Sequence, residues 1–287
     1  MSTRNGLPVR APMTHRVWLL VCCASLTVAP SAAAQRIDTV FVPVHGHRVA
    51  LYVSGTGGRT VVLEAGGGSW HRDWVDVMPR LRGQARVIAY DRPGYGMSDP
   101  CTDPPTADRV SRELREALAA ARVADPVTVV GWSLGGAFAR VFAGNFPELV
   151  AGLVLVDPAP EDFYRRIVRE FPDDWSREVV SHFSAVYGDS TRRAQQRELA
   201  AFDASMEQAR ASDARHNERA IVLVAGRDDE LETDPISRVW VSALTQWAQG
   251  RPNTTVRVVP RSGHHIPRQH PDAVAEAVRE LLAEGSR

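Results

Sequence analysis

The sequence predicts an α/β fold built on a mostly parallel, doubly wound sheet. Strand-like and helix-like segments alternate along the 287 residues, and several of the strand-like segments are continuous apolar runs, as in strands buried on both faces. Hydrophobic residues make up 44% of the chain, enough for a sizeable core. Two strand-like segments at the start are separated only by a short turn, which predicts an antiparallel edge.

The predicted elements follow one another in a regular order. The strands are IDTVFVPV, HRVALYVSG, TVVLEA, ARVIAYD, PVTVVGW, LVAGLVLVD, IVLVAG and TTVRVVP. Helical spacing and end signals predict helices over 70–81, 106–122, 134–146, 235–249 and 271–284. A further helical, polar segment over 159–219 has about 60 residues and is too long for an ordinary connection. We therefore expect a helical lid inserted after the sixth strand, at the carboxyl edge of the sheet.

The first 34 residues have the layout of a secretory signal peptide. Three arginines without acids precede the apolar run VWLLVCCASLTVA, which is too short to span a bilayer comfortably, and the small residues Ala32 and Ala34 follow. We expect cleavage after Ala34, a mature domain over 35–287, and a secreted or periplasmic protein without a stable membrane anchor; an uncleaved anchor is the alternative. Cleavage leaves only Cys101, so no internal disulfide is expected. The formal net charge of zero gives no support for nucleic-acid binding.

The stretch GWSLGG is the most informative motif in the chain. It matches G-x-S-x-G between a predicted strand and a predicted helix, the context in which such a serine acts as a nucleophile. A sharp turn is needed to project the Ser133 hydroxyl from the strand tip, and side chains at Gly131 and Gly135 would collide in that turn. The N–H of Leu134, directly after the nucleophile, is then a donor to the oxyanion of the reaction.

A serine hydroxyl needs a base, and the base needs an orienting acid. In this topology the chain order is serine, acid, histidine. Acidic residues follow IVLVAG, and a histidine pair follows TTVRVVP, both at the sheet edge that carries the serine. The residues alone leave several acids and both histidines open.

The motifs GWSLGG, DRPGYGMSD, VAGRDD and RSGHH, in this order, resemble those of the α/β-hydrolase fold superfamily over roughly residues 37–284. The resemblance implies a catalytic acid three residues after the glycine that ends a strand, which selects Asp229, with Asp228 as the neighbouring alternative. Some family members hold the acid at a second place, which corresponds here to Asp157.

The resemblance also selects the base. The family's histidine follows a glycine in a [S/G]-G-H pattern, which favours His264 over His265. In the dehalogenase and epoxide-hydrolase branches the nucleophile is an aspartate, so Ser133 argues against those activities.

The glycine run in VVLEAGGGSW fits an oxyanion loop. A phosphate loop needs a following lysine and a dinucleotide loop needs a third spaced glycine, and both are missing. The family pattern makes the Gly67 N–H the second oxyanion donor, with Gly68 next. Many relatives have His-Gly where this chain has Ala-Gly, which leaves the loop geometry open. Glu64 is unusual in a buried strand, and we expect it to pair with an arginine such as Arg92.

These observations predict a serine hydrolase that cleaves carboxylic esters of a small-molecule substrate through an acyl-enzyme, without a cofactor. Three alternatives remain: hydrolysis of amides or N-terminal peptide bonds, acyl transfer to another acceptor, and a non-catalytic binding protein on the same fold. An aminopeptidase would use an acidic lid residue for the substrate amine. The candidates are Glu161, Asp162, Glu170, Asp173 and Asp174.

A metal site is a fourth alternative. HHIPRQH offers three histidines, but neither an H-E-x-x-H motif nor a cysteine pair accompanies them. We therefore expect no catalytic metal.

Overall fold

The computed structural model describes residues 36–161, 189–215, 217–227 and 235–284. These residues form one sheet of eight strands in the order β1-β2-β4-β3-β5-β6-β7-β8, with helices on both faces. The predicted α/β fold class is confirmed. The strands are β1 (Ile37–Val44), β2 (His47–Ser54), β3 (Thr60–Glu64), β4 (Arg86–Tyr90), β5 (Val127–Trp132), β6 (Val150–Val156), β7 (Ala220–Ala225) and β8 (Thr254–Val259).

The sheet has the antiparallel edge that the sequence predicted. Strand β1 pairs antiparallel with β2, and β2 pairs antiparallel with β4, whereas the pairs from β4 to β8 are parallel. The β1–β2 turn uses His45 and Gly46, both with positive φ. Because the parallel strands all end at one edge, the segments that follow β3, β5, β6, β7 and β8 meet there.

Helices cover the sheet on both sides. Those described are α1 (Met78–Leu81), α2 (Ala107–Ala120), α3 (Leu134–Asn145), α4 (Asp189–Ala200), α5 (Phe202–Ser212), α6 (Pro235–Gln249), α7 (Ile266–Gln269) and α8 (Pro271–Glu284). Single 3₁₀ turns lie at His71–Trp74, Pro147–Leu149 and Asp213–Arg215.

Two apolar layers hold the helices to the sheet. On one face of the sheet, Met78 of α1 and Val278 of α8 pack against the strand side chains that point to that face. On the other face, Leu114 of α2, Phe142 of α3 and Leu244 of α6 pack in the same way. Strands β3, β5 and β7 are buried at every residue, which is why their sequences are apolar runs without alternation.

Two helices differ from expectation. The segment predicted as a helix over 70–81 contains a 3₁₀ turn and only the short α1, in which Pro79 occupies the first turn. An N–H group in the first turn of a helix has no acceptor within the helix, so proline, which lacks this group, is tolerated there. Pro79 therefore marks the beginning of a helix rather than its interior. The short helix α7 was not predicted.

Two predicted segments lie partly or wholly outside the described residues. These are the signal peptide over 1–34 and most of the first half of the predicted lid, at 162–188. In the described remainder, α4 and α5 lie between β6 and β7. Nowhere in the described ranges is a helix both long and apolar enough to cross a membrane.

Candidate active site

Ser133 lies at a strained turn between β5 and α3. Its backbone has φ 55° and ψ −123°, a conformation that non-glycine residues rarely adopt. A Cβ on Gly131 would lie 2.4 Å from the carbonyl oxygen of Gly135, and one on Gly135 would lie 2.5 Å from the carbonyl oxygens of Glu64 and Ala65. These backbone contacts confirm why the turn needs glycines on both sides of the serine.

His264 lies within hydrogen-bonding distance of the serine. It follows β8, and its Nε2 is 2.9 Å from Ser133 Oγ. The side chain of His264 is 40% exposed, so the imidazole contacts the serine and also reaches solvent. His265 takes a different place, with its Nε2 3.3 Å from Asp73 Oδ1.

Asp157 orients the histidine. It follows β6, is fully buried, and its Oδ2 accepts a 2.7 Å hydrogen bond from His264 Nδ1. The Ala225 N–H donates to Oδ1, and Arg227 forms an ion pair with Oδ2 at 2.5 Å. Burial alone would raise the pKa of Asp157, but the hydrogen bond from His264 and the charge of Arg227 outweigh it and hold the pKa below its ordinary value. Asp157 is therefore a carboxylate at neutral pH.

The preferred acid from the sequence, Asp229, and its neighbour Asp228 lie outside the described residues. The described carboxylate at His264 Nδ1 is Asp157, which the sequence analysis gave only as an alternative to Asp229 and Asp228. The described geometry thus supports Asp157 as the orienting acid. The physical reason is that β6 and β7 are parallel neighbours, so their carboxyl ends deliver acids to the same place.

Two tryptophans surround the histidine, and motif reasoning did not anticipate them. Trp132, directly before the serine, donates from Nε1 to the His264 carbonyl oxygen at 2.8 Å and stacks on His265 at 4.2 Å. Trp240 of α6 meets the His264 ring edge to face at 5.1 Å. The hydrogen bond from Trp132 fixes the backbone of His264, and the Trp240 ring packs against its imidazole.

The glycine loop after β3 lies against the nucleophile. A Cβ on Gly66 would lie 3.3 Å from Ser133 Cβ, and one on Gly67 would lie 3.1 Å from Leu134 Cδ2. Gly68 has φ +72°, in the region that favours glycine. Within the described ranges, the N–H groups of Gly67 and Leu134 make no hydrogen bond. The two residues predicted to supply the oxyanion donors, Gly67 and Leu134, therefore lie next to each other beside Ser133.

The predicted pairing of Glu64 with Arg92 is confirmed, at 2.6 Å between Oε1 and Nη1. Burial raises the pKa of Glu64, although the charge of Arg92 opposes this. Sequence reasoning missed the second partner of Arg92, Glu198 of α4, whose Oε1 accepts from Nε at 2.6 Å. No local pattern marks Glu198, because it lies 106 residues from Arg92 in the chain.

No group of three or more His, Cys, Asp or Glu side chains that could hold a metal ion occurs in the part of the chain that the structure describes.

Comparison with known proteins gives the family. The model of the alpha/beta hydrolase family matches residues 40–277, most of the chain. The chain belongs to the alpha/beta hydrolase family.

Relatives of this alpha/beta hydrolase in sequence match over shorter segments. The chain is 36% identical over 106 residues to an uncharacterized vacuolar membrane protein of Saccharomyces cerevisiae, covering 36% of this chain and 16% of that protein. It is 34% identical over 108 residues to the uncharacterized protein YqjL of Bacillus subtilis, covering 38% and 43%. The matches thus span less than half of either relative.

Solved structures resemble this alpha/beta hydrolase over nearly their whole length. Haloalkane dehalogenase DbeA of Bradyrhizobium elkani has a TM-score of 0.66 at 16% identity, covering 88% of this chain and 100% of that chain. Cfl2 of Burkholderia cenocepacia has a TM-score of 0.61 at 23% identity, covering 85% and 95%. Epoxide hydrolase CorEH has a TM-score of 0.58 at 20% identity, covering 87% and 99%. At these identities the likeness shows the shared fold.

Proposed function

We propose that this alpha/beta hydrolase is a serine esterase that cleaves carboxylic ester bonds through an acyl-enzyme. The observation that carries the proposal is the continuous hydrogen-bonded chain from Ser133 Oγ to His264 Nε2 at 2.9 Å and from His264 Nδ1 to Asp157 Oδ2 at 2.7 Å. Both distances lie in the range that proton transfer and histidine orientation need.

In the first half of the reaction, Ser133 Oγ attacks the ester carbonyl carbon while His264 Nε2 takes the hydroxyl proton. Asp157 holds the hydrogen on Nδ1 and stabilises the imidazolium that forms. Negative charge develops on the carbonyl oxygen, and the N–H groups of Gly67 and Leu134 stabilise it. His264 then returns its proton to the departing alcohol, which leaves the acyl group on Ser133.

In the second half, water attacks the acyl-enzyme. His264 takes a proton from the water and gives it to Ser133 as the acid product leaves. These steps use only side chains and backbone groups of the chain, so the mechanism requires no cofactor.

The nucleophile sets the proposed reaction apart from those named for two structural neighbours. The resemblance places an aspartate nucleophile in dehalogenases and epoxide hydrolases, where this chain has Ser133. Amide hydrolysis on the same residues is the alternative within serine hydrolases. Among the acids considered for an amine-binding role, Glu161 is paired with Arg140, and the other four lie outside the described residues.

We also propose that the protein is exported and that α4 and α5 belong to a lid over the site. The arginine-containing, apolar and small-residue regions of the leader support the first proposal. The position of both helices between β6 and β7, at the edge that carries Ser133, supports the second.

The experiment that tests the esterase proposal is an assay with nitrophenyl esters from acetate to palmitate, on protein beginning at Gln35. The matched variant is Ser133→Ala, which removes one oxygen atom and leaves the histidine in place. We expect kcat to fall by roughly 10³- to 10⁶-fold in the variant. Equal rates in both proteins would reject the proposal. Aminoacyl nitroanilides, assayed in parallel, would show an amidase if only they are cleaved.

A further inference from the structure

Four buried polar side chains form a cluster beneath the glycine loop. Glu64, Arg92, Tyr95 and Glu198 are each no more than 4% exposed. Arg92 lies between the two carboxylates, and the Tyr95 hydroxyl donates to Glu198 Oε2 at 2.9 Å. We call this set the Arg92 cluster. The proposed mechanism leaves it without a role.

Arg92 determines the direction of one oxyanion donor. Its Nη1 donates to the Ala65 carbonyl oxygen at 2.8 Å, and its Nη2 donates to the Gly66 carbonyl oxygen at 2.6 Å. In a planar trans peptide the C=O and the following N–H point in opposite directions. Holding the Gly66 oxygen on Arg92 therefore directs the Gly67 N–H away from the cluster. Leu134 lies against that glycine.

Glu198 holds the next peptide of the loop. Its Oε2 accepts a 3.0 Å hydrogen bond from the Gly68 N–H, and its Oε1 accepts from Arg92 Nε at 2.6 Å. The Ser69 N–H closes the turn onto the Gly66 carbonyl oxygen at 3.2 Å. Gly68 occupies the third position of a type II turn, where φ is positive. Type I and type II turns differ mainly in the orientation of their central peptide, which here joins Gly67 to Gly68. The Glu198 carboxylate thus holds the Gly67–Gly68 peptide directly. It also holds Arg92, which in turn holds the preceding peptide through the Gly66 carbonyl oxygen.

This carboxylate comes from another part of the fold. Glu198 lies on α4, in the segment inserted between β6 and β7, and it is 130 residues from Gly68 in the chain. We propose that Glu198 is a positioning residue that ties α4 to the glycine loop and, through Arg92, aims the Gly67 N–H at the substrate oxygen. The inference rests on the proposed function, because it assigns Gly67 to the oxyanion. It adds that the inserted segment completes the site.

The test compares Glu198→Gln and Glu198→Ala with the wild type. Glutamine keeps the shape and one acceptor but loses the charge that binds Arg92, whereas alanine removes both contacts. Loss of a whole oxyanion donor costs on the order of 100- to 1,000-fold in rate. Because Glu198 acts through the loop, we expect kcat to fall about 10-fold in Glu198→Gln and about 100-fold in Glu198→Ala. KM should change less than about 3-fold, since the contact acts in the transition state.

A fluorophosphonate provides the second readout. Its phosphoryl oxygen occupies the oxyanion position when Ser133 attacks phosphorus and fluoride leaves, so the rate of labelling should fall in proportion to kcat. The labelled fraction also counts folded sites and corrects kcat for unfolded protein. Asp213→Asn is the matched control, because it weakens a different arginine–carboxylate pair, with Arg140 on α3. The control should lower the melting temperature and leave kcat within about 3-fold of the wild type.

The outcomes separate the two proposals. If the wild type hydrolyses esters and both Glu198 variants match its kcat and labelling rate, whatever their melting temperatures, the positioning role is wrong. Should Glu198→Ala fail to fold, Glu198→Gln alone decides in the same way. A wild type that neither hydrolyses any ester nor reacts with the fluorophosphonate would overturn the proposed function and this inference together.

Discussion

Replacing Asp157 by asparagine tests which carboxylate orients His264. The two side chains have nearly the same size, and the site is fully buried, so the packing should survive the change. The substitution removes the negative charge. In the wild type, Asp157 Oδ2 accepts a hydrogen bond from His264 Nδ1 at 2.7 Å, whereas the amide nitrogen of asparagine at that position would donate to Nδ1 instead. The substitution therefore favours the wrong tautomer of His264, with its hydrogen on Nε2, where it cannot accept the proton of Ser133.

The expected magnitude follows from that tautomer. With the base unable to accept the serine proton and its imidazolium unpaired, kcat should fall by about 10⁴-fold. This corresponds to about 5 kcal/mol of lost transition-state stabilisation. Arg227 loses its only carboxylate partner described at this site, so stability should also fall, and the activity must be referred to folded protein.

The assay measures kcat on the best nitrophenyl ester for the wild type, Asp157→Asn and Asp229→Asn. Asp229→Asn is the control, since it makes the same chemical change at the acid that the sequence favoured. We expect the control to keep kcat within about 3-fold of the wild type. A loss of several thousand-fold in Asp229→Asn, with little change in Asp157→Asn, would refute the assignment of Asp157.

Two further predictions concern the same site. Gly131→Ala should destabilise the protein by about 3 kcal/mol or more, because its Cβ would lie 2.4 Å from a backbone oxygen, whereas Gly83→Ala enters open space and should be nearly neutral in urea unfolding. The folded-state pKa of Asp157 is lowered, so the stability that its charge contributes is complete above the unfolded value of about 3.9 and is lost as the pH falls through the folded value. The stability difference between wild type and Asp157→Asn should therefore narrow as the pH falls below about 4; a difference that stays unchanged between about pH 5 and pH 3 would contradict it.

Features that depend on neighbouring residues could be predicted from the sequence. Steric constraints and hydrophobic periodicity act over a few residues, so a short stretch of sequence is enough to recognise their effects. This applies to the apolar runs of β3, β5 and β7, to the glycines around Ser133 and to the glycine loop. The G-x-S-x-G motif between a strand and a helix pointed to Ser133, and the family's [S/G]-G-H pattern pointed to His264; the structure places the two side chains 2.9 Å apart.

Features that depend on distances between remote segments required the tertiary structure. Acids after β6 and after β7 are equivalent in the sequence, because parallel neighbouring strands end at the same edge, and only the packing shows that Asp157 meets His264. The same holds for the contact of Glu198 with Arg92 and Gly68, since an inserted helix can be placed on a loop only once both have folded. The sequence by itself thus determined the chemistry at each strand end, and the fold decided which of those groups touch.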